Sequence, residues 1–369
     1  MAEVAVALRK HPCPECGGDA VWNASKQALG CPYCGHIFPW QPGEDALGTT
    51  INEHDLVEAL AGVPDRERGW QEQKHTVQCQ SCHAIMVFDA TRAAQNCEFC
   101  GSPSIVPHEA AKEAITPESI LPFKLSEAQV REKLRAWYGS HWLAPDTFKR
   151  AALTDTLHGL YIPYWTFDSH VRADWQAEAG YYYYETESFT DANGQRQTRQ
   201  VRKVRWQPAA GSLEHFFNDA LIPGTVGVRA DYLRRIEPFP TTGDGLKAYE
   251  PAFVRGWVVE RYQVDLRQAA DRNLQEMEAA VTQMCSAQVP GDTQRALRVS
   301  STYSGRTFKH VLVPVWLVSY TFGAKAFQIV VNGYTGAIHG EHPRSWVKIF
   351  FYIILPILVL LALILATQQ

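Results

Sequence analysis

The chain has 369 residues, of which 46% are apolar, 11% aromatic and 20% charged, and its formal net charge is −4. This balance excludes a disordered polar chain, and a length beyond about 250 residues excludes a lone small domain. Charge is unevenly spread: residues 1–110 carry 7 Lys/Arg against 14 Asp/Glu, whereas residues 111–369 carry 28 against 25.

Residues 1–10 are too short and too weakly apolar for a secretory signal. The soluble part is therefore expected in a reducing compartment, where nine cysteines argue for metal rather than disulfides. Eight of them form four Cys-x-x-Cys pairs. Cys13/Cys16 is followed after 14 residues by Cys31/Cys34, and Cys79/Cys82 after 14 residues by Cys97/Cys100. The two sets superimpose at a constant offset of 66, which also aligns Val21 with Val87, Trp22 with Phe88, Ala24 with Ala90 and Gly35 with Gly101. Such a match is an internal repeat. Two knuckles joined by a hairpin make a closed tetrahedral S₄ site, which suits two Zn²⁺ ions, iron being the lesser candidate. Four thiolates leave no open coordination position, so a structural role is expected. His11, His36 and His83 lie near the ligands in sequence and read as solvent-facing or outer neighbours. The acidic balance of this region disfavours a phosphate-backbone binder and favours protein contact.

Residues 54–61 read as a short helix between the two sets, broken at Gly62-Val63-Pro64. Beyond residue 109 an α+β body is expected. Ser126 and Gln129 form a capping box for a helix with Val130, Leu134 and Trp137 on one face. Residues 145–148 suggest another short helix, and residues 161–168 an aromatic strand. Residues 175–190 and 195–206 predict two strands around a turn at 191–194. The second carries Arg196, Arg199, Arg202, Lys203 and Arg205, either a basic surface for acidic headgroups or an acidic partner, or simply a solvated hairpin. A helix is predicted over 212–221, a strand over 253–264 and a long helix over 265–289, with Leu266, Ala270, Leu274, Met277, Val281 and Met284 as its stripe and Cys285 as packing. Residues 311–322, 326–331 and 337–340 read as an antiparallel meander. The phrase Leu312-Val-Pro-Val-Trp316 echoes Tyr161-Ile-Pro-Tyr-Trp165, which suggests two related halves.

Residues 349–366 run for 18 positions without a charge, about the length that spans a bilayer core as a helix. Trp346 and Lys348 extend this element as interfacial residues, and Pro356 predicts a kink inside it. With Arg344 and Lys348 before the span and no cation after it, the body is expected on the cytoplasmic face of the inner membrane as a tail-anchored protein. No P-loop, nucleophile elbow, His-Glu-x-x-His or dinucleotide fingerprint occurs, and Asp155, His158, Asp168 and His170 are the nearest approach to a polar cluster. The expectation is a protein that is not an enzyme.

The paired cysteine sets, the phrase Tyr161–Asp168, the phrase Val331-Asn-Gly-Tyr-Thr-Gly336 and the apolar end together resemble a bacterial family of TFIIB-type zinc-ribbon membrane proteins. Members are often described as primosomal or helicase-like, and they look like companions of SPFH (flotillin- or stomatin-like) proteins and of PspA in membrane stress. The resemblance implies protein partners of those kinds at the lipid bilayer, in a homo-oligomer or larger assembly. The expected series is a zinc ribbon at 1–45, a linker at 46–74, a second ribbon at 75–108, the α+β body at 109–345 and a transmembrane helix at 346–366. The expected role is an adaptor that docks proteins through its ribbons; the alternative is a membrane-tethered nucleic-acid binder.

Overall fold

Alternation of buried and exposed residues over 171–179 marks a strand far longer than the ordinary half-dozen residues. The computed structural model describes residues 12–24, 26–39, 51, 53–61, 74–89, 96–100, 102, 104–107, 115–141, 143–145, 157–190, 195–243, 245–254, 257–322, 325–342, 345–357 and 365. In chain order these form β1 (Val21–Asn23), β2 (Ala28–Gly30), β3 (Ile37–Phe38), β4 (His54–Asp55), α1 (Leu56–Ala61), β5 (Lys74–Cys79), β6 (Ile85–Asp89), β7 (Ile105–Pro107), β8 (Ser119–Ile120) and α2 (Glu127–Ser140). Then come β9 (Leu157–Thr190), β10 (Arg196–Pro223), α3 (Ala230–Ile236), β11 (Lys247–Ala248), α4 (Pro251–Val254), β12 (Val258–Glu260), α5 (Leu266–Gln288), β13 (Thr293–Phe322), β14 (Lys325–Asn332), β15 (Ile338–Gly340) and α6 (Trp346–Ile349). The protein is α+β, with mixed sheets and two Cys₄ groups toward its N-terminus.

The architecture is built on β9 and β13, which pair antiparallel from Thr293↔Gly180 to Val318↔Leu157. β12 lies parallel beside β9, and β8 parallel beside β13. Two strand–helix–hairpin units, β8-α2-β9-β10 and β12-α5-β13-β14, thus each lend their first strand to the long strand of the other. The two Pro-Trp phrases sit next to each other across this pairing, with Pro163 opposite Leu312 and Pro314 opposite Tyr161. They also make matching contacts. Pro163 O accepts from Gly224 N at 2.8 Å and Pro314 O from Gly333 N at 2.9 Å. Trp165 Nε1 donates to Val264 O, one residue before the N-cap of α5, and Trp316 Nε1 to Leu125 O, one residue before the N-cap of α2.

Apolar residues cover both faces of the central sheet. On one face Leu160, Ile162, Tyr164, Val311, Val313, Val315 and Leu317 pack with Tyr232, Leu233 and Ile236 of α3. On the other, Tyr161, Leu312 and Trp316 pack with Phe123 and with Val130, Leu134 and Tyr138 of α2. The capping box forms as expected, with Ser126 and Gln129 exchanging side-chain and backbone hydrogen bonds. Tyr138, rather than Trp137, completes the buried face of α2.

Past residue 170, β10-β9-β13 leaves the body as a three-stranded arm. α5 covers one side of it, where Val281 and Cys285 meet Val171, Ala173, Trp175 and Ala177. Cys285 is packing, as expected. The turn from α5 into β13 needs Gly291 (φ +95), where a Cβ would stand 2.7 Å from Gly180 O. Among the described residues only the β9–β10 ribbon continues beyond Gly180. At about 3.3 Å per residue the 34 residues of β9 would reach roughly 110 Å.

Three local expectations are corrected. Residues 212–221 form strand, not helix: Gly211 to Phe217 pair one by one with Trp175 to Ser169. The apolar spacing of Leu213, Phe216, Phe217 and Leu221 fits either period, and the cross-strand partner decides. The strand expected over 253–264 is one turn of α4 followed by the three residues of β12, with Trp257 between them stacking on Phe123 at 4.2 Å. The strands predicted at 175–190 and 195–206 are the outer parts of β9 and β10. The meander of β13, β14 and β15 forms as expected. Residues 146–148 and 191–194 lie outside the described residues.

The apolar end begins as α6 and widens at once into a π-type turn over Phe350–Ile354, in which Leu355 N–H bonds Phe350 O. The cause is Pro356, which has no N–H to give and whose ring crowds the preceding turn. Among the described residues no helix is long and apolar enough to cross a membrane. The expected span falls in part on residues 358–364 and 366, outside the described set.

Candidate metal centres

Both cysteine sets fold into the same knuckles. Cys13 N bonds Gly18 O at 2.8 Å and Cys79 N bonds Ala84 O at 3.0 Å, and each pair of positions matches at the offset of 66. Cys31 N bonds His36 O, and Cys97 N bonds Ser102 O in the same way. The residue after the second cysteine takes a left-handed conformation in each copy, Gly17 (φ 73) in one and His83 (φ 62) in the other. Glycine is favoured there, and His83 adopts the same geometry against its preference.

These turns bring the sulfurs together. Cys13 and Cys34 are 3.5 Å apart and Cys16 and Cys31 3.4 Å; Cys79–Cys100 and Cys82–Cys97 are both 3.6 Å. A disulfide needs about 2.05 Å, whereas thiolates sharing a tetrahedral ion at about 2.3 Å lie about 3.8 Å apart. Both Cys₄ groups can therefore hold a metal ion, as expected. Amide N–H groups point at the sulfurs: Ser81 N to Cys79 Sγ and Phe99 N to Cys97 Sγ, both at 3.4 Å. The Cys97 thiol is drawn down to about 5, first by its hydrogen bond with Cys82 and then by the Cys100 and Phe99 amides, against burial. Cys31 is drawn down to about 7, chiefly by the Cys34 amide. In the same clusters the thiols of Cys16, Cys34, Cys82 and Cys100 are raised, so each lowered thiol sits in a hydrogen-bonded set whose protons a metal ion would displace. His36 stacks on Phe38 at 5.9 Å, outside the sulfur cluster; His11 lies outside the described residues.

The two centres are mounted differently. In the first, β1, β2 and β3 form a separate three-stranded sheet. It docks through Trp22, whose ring meets Phe253 edge-on at 5.1 Å and whose Nε1 donates to Phe123 O at 3.0 Å. Its knuckle tips stay outside: Cys16 and Cys34 are exposed, and Tyr33 is 77% exposed. The second centre is built into the body. β6 pairs with β12, so the central sheet continues through β6, β5 and β7. Cys79, Ala84, Met86, Cys97 and Phe99 belong to the core that includes Leu160 and Val313. Glu98, inside the knuckle, pairs with His158. Ser319 Oγ and Gln328 Nε2 both donate to Phe99 O. Beneath it Glu260 is fully buried, and burial pushes its carboxyl up to about 8.

The basic series lies on the outer ribbon. Arg199 reaches Glu187 at 3.5 Å, and Lys203 reaches Glu185 and Glu187. Arg199, Arg202 and Arg205 lie over the rings of Phe189, Tyr182 and Tyr183. Cross-strand acids thus answer part of this charge; Arg196 is exposed at the start of β10. The loose polar cluster of the sequence does not assemble. Asp155 is outside the described residues, His158 is held by Glu98, and His170 is exposed against Phe216 at 4.4 Å. Asp168 instead meets residues distant in sequence: Asp219 N donates to its Oδ1 and Thr307 Oγ1 to its Oδ2, while Lys309 bridges Asp219 and Glu53. Burial, then Glu53, pushes the Asp168 carboxyl up to about 6. Sequence reading missed Glu53, Asp219 and Lys309, whose local signal is only a pair of irregularities, Asn218-Asp219 and Gly305, inside strands.

No family model matches the chain, and no solved structure matches it. It is similar to the uncharacterized protein YdjG of Bacillus subtilis (strain 168), with 22% identity over 245 residues, which is 64% of this chain and 66% of the relative.

Proposed function

We propose that the chain is a membrane-anchored adaptor, facing the cytoplasm, that docks protein partners through its first metal ribbon. The observation that carries this is the mounting of that ribbon: Trp22 fixes it to the body while Tyr33 and the tips around Cys16 and Cys34 face solvent. A rigid exposed aromatic on a stapled loop is the kind of group that anchors a protein interface. Zinc is the ion proposed for both centres, because four thiolates in a tetrahedron suit it and close its shell. Anchoring is proposed through 346–366. Its support is the bare apolar surface of Phe350, Phe351, Tyr352, Ile354, Leu355 and Ile357, all exposed in the chain by itself. Partners of the SPFH or PspA kind, in a membrane-stress system, are what the resemblance adds.

The test is purification of the full chain from detergent-solubilised membranes, with and without nuclease, beside Tyr33→Ala. The adaptor reading expects a stoichiometric protein that survives nuclease and is lost with Tyr33→Ala. Partners that vanish on nuclease treatment, with nucleic acid in the untreated sample, would replace it with a tethered nucleic-acid binder using Arg199, Arg202 and Arg205.

A further inference from the structure

At the root of the arm two β-bulges face the same stretch of β9. The register of β10 slips between Phe217 and Ala220, and that of β13 between Ser304 and Thr307, both opposite residues 167–170. Bulges re-aim side chains, and here they turn Asp219 and Thr307 onto Asp168. Glu53, just before β4, closes the group from the segment that joins the two metal ribbons. One oxygen from each of Glu53, Asp168 and Asp219 lies within 4.8 Å of the others.

Two observations ask for a ligand here. The first is charge. Among the described residues Lys309 is the basic group at ion-pair distance, 2.8 Å from Asp219 Oδ1 and 3.1 Å from Glu53 Oε1. One ammonium stands against three carboxylates, two of them buried, and a surplus of negative charge held away from water is costly. The second is Asp219 itself. Its side chain is 3% exposed, and among the described residues its buried Oδ2 has no hydrogen-bond donor. A buried carboxylate oxygen without a partner loses its hydration and gains nothing in return.

We propose that Glu53, Asp168 and Asp219 bind one hard divalent cation, of the Ca²⁺ or Mg²⁺ class, at the root of the arm. A divalent ion brings three carboxylates and one ammonium to neutrality. The donors are all oxygen, which selects hard cations over the thiophilic metals of the ribbons. Oxygens within 4.8 Å of one another can share an ion at the 2.3–2.6 Å typical of calcium, whereas magnesium at about 2.0–2.1 Å draws them closer. Thr307 Oγ1 stands beside the group, 3.1 Å from Glu53 Oε2 and 3.3 Å from Asp168 Oδ2. Glu53 is 39% exposed and gives the ion its way in from solvent. Bound there, the ion would clamp β4, and α1 after it, onto β13, which β4 already meets through His54↔Phe308 and Asp55↔Thr307. The site stands apart from the adaptor reading and survives its failure.

The experiment is titration of the full, zinc-loaded chain, freed of other divalent ions, with MnCl₂ read by the electron paramagnetic resonance of the free ion, and with CaCl₂ and MgCl₂ as competitors. The expected result is one saturable site per chain, weakened at least about tenfold in Asp219→Asn and unchanged in Glu187→Gln on the outer ribbon. Should Asp219→Asn fail to fold, Glu53→Gln, at the exposed side of the group, carries the same expectation. Hydrogen exchange over residues 53–61 should slow when CaCl₂ is added to the wild type. Absence of saturable binding up to millimolar ion, or equal binding in the wild type and the folded variant, overturns the proposal.

Discussion

His310 shows how a single buried residue sets the response to acid. Its ring stacks on Trp165 at 4.8 Å and its Nδ1 lies 3.1 Å from Ile115 O. Burial, against two backbone hydrogen bonds, drops it to about 4 from an ordinary 6.5. Between those values the unfolded chain binds a proton that the fold refuses, so the contribution is whole above pH 6.5 and lost as pH falls toward 4. At about 1.4 kcal/mol per pH unit the window is worth about 3 kcal/mol. Thermal unfolding followed from pH 7 to 4 should show a steeper acid limb in the wild type than in His310→Gln; parallel limbs would contradict the assignment. Trp22 is the other telling residue. Trp22→Ala removes an 8% exposed ring from the junction of ribbon and body. It should cost about 3 kcal/mol, seen as a lower urea midpoint if the ribbon and body unfold together, or as early loss of the ribbon alone if they do not.

At the scale of elements, the two Cys₄ ribbons share one backbone plan and differ in what they hold up. Cys97 belongs to the core cluster that includes Leu160 and Val313, whereas Cys34 lies at an exposed tip. Cys97→Ser should therefore raise hydrogen exchange in β9 and β13, while Cys34→Ser should raise it in residues 12–38 and leave the long strands protected. Equal effects of the two would show that the second ribbon is not part of the body's core. The repeat behind this contrast was legible in the sequence, because cysteine spacing reports a turn that the backbone must make locally. The mounting was not: Trp22 docks against Phe123 and Phe253, partners far away in the chain that no local pattern names. The stretch 212–221 failed for the same reason. Its local pattern allowed two periods, and Trp175 to Ser169 on the facing strand chose between them.

For the whole molecule, the Pro-Trp phrases were the readable trace of the architecture. They repeat because each closes the same junction, a long strand against the start of the other unit's helix, with Trp165 and Trp316 making the same bond. The arm was legible only as its outer hairpin, since the length of a strand is set by what pairs with it. The acidic group at its root was invisible, because Glu53 and Lys309 are separated by 256 positions and share no motif. The adaptor reading depends on the body being held at a bilayer by 346–366. The most direct measurement is flotation of the full chain with lipid vesicles, beside a variant ending at Ser345, followed by alkaline carbonate washing. The full chain should float and resist the wash, while the shortened chain stays at the bottom of the gradient. A full chain that fails to float, or a shortened chain that floats and resists equally well, would contradict the adaptor reading.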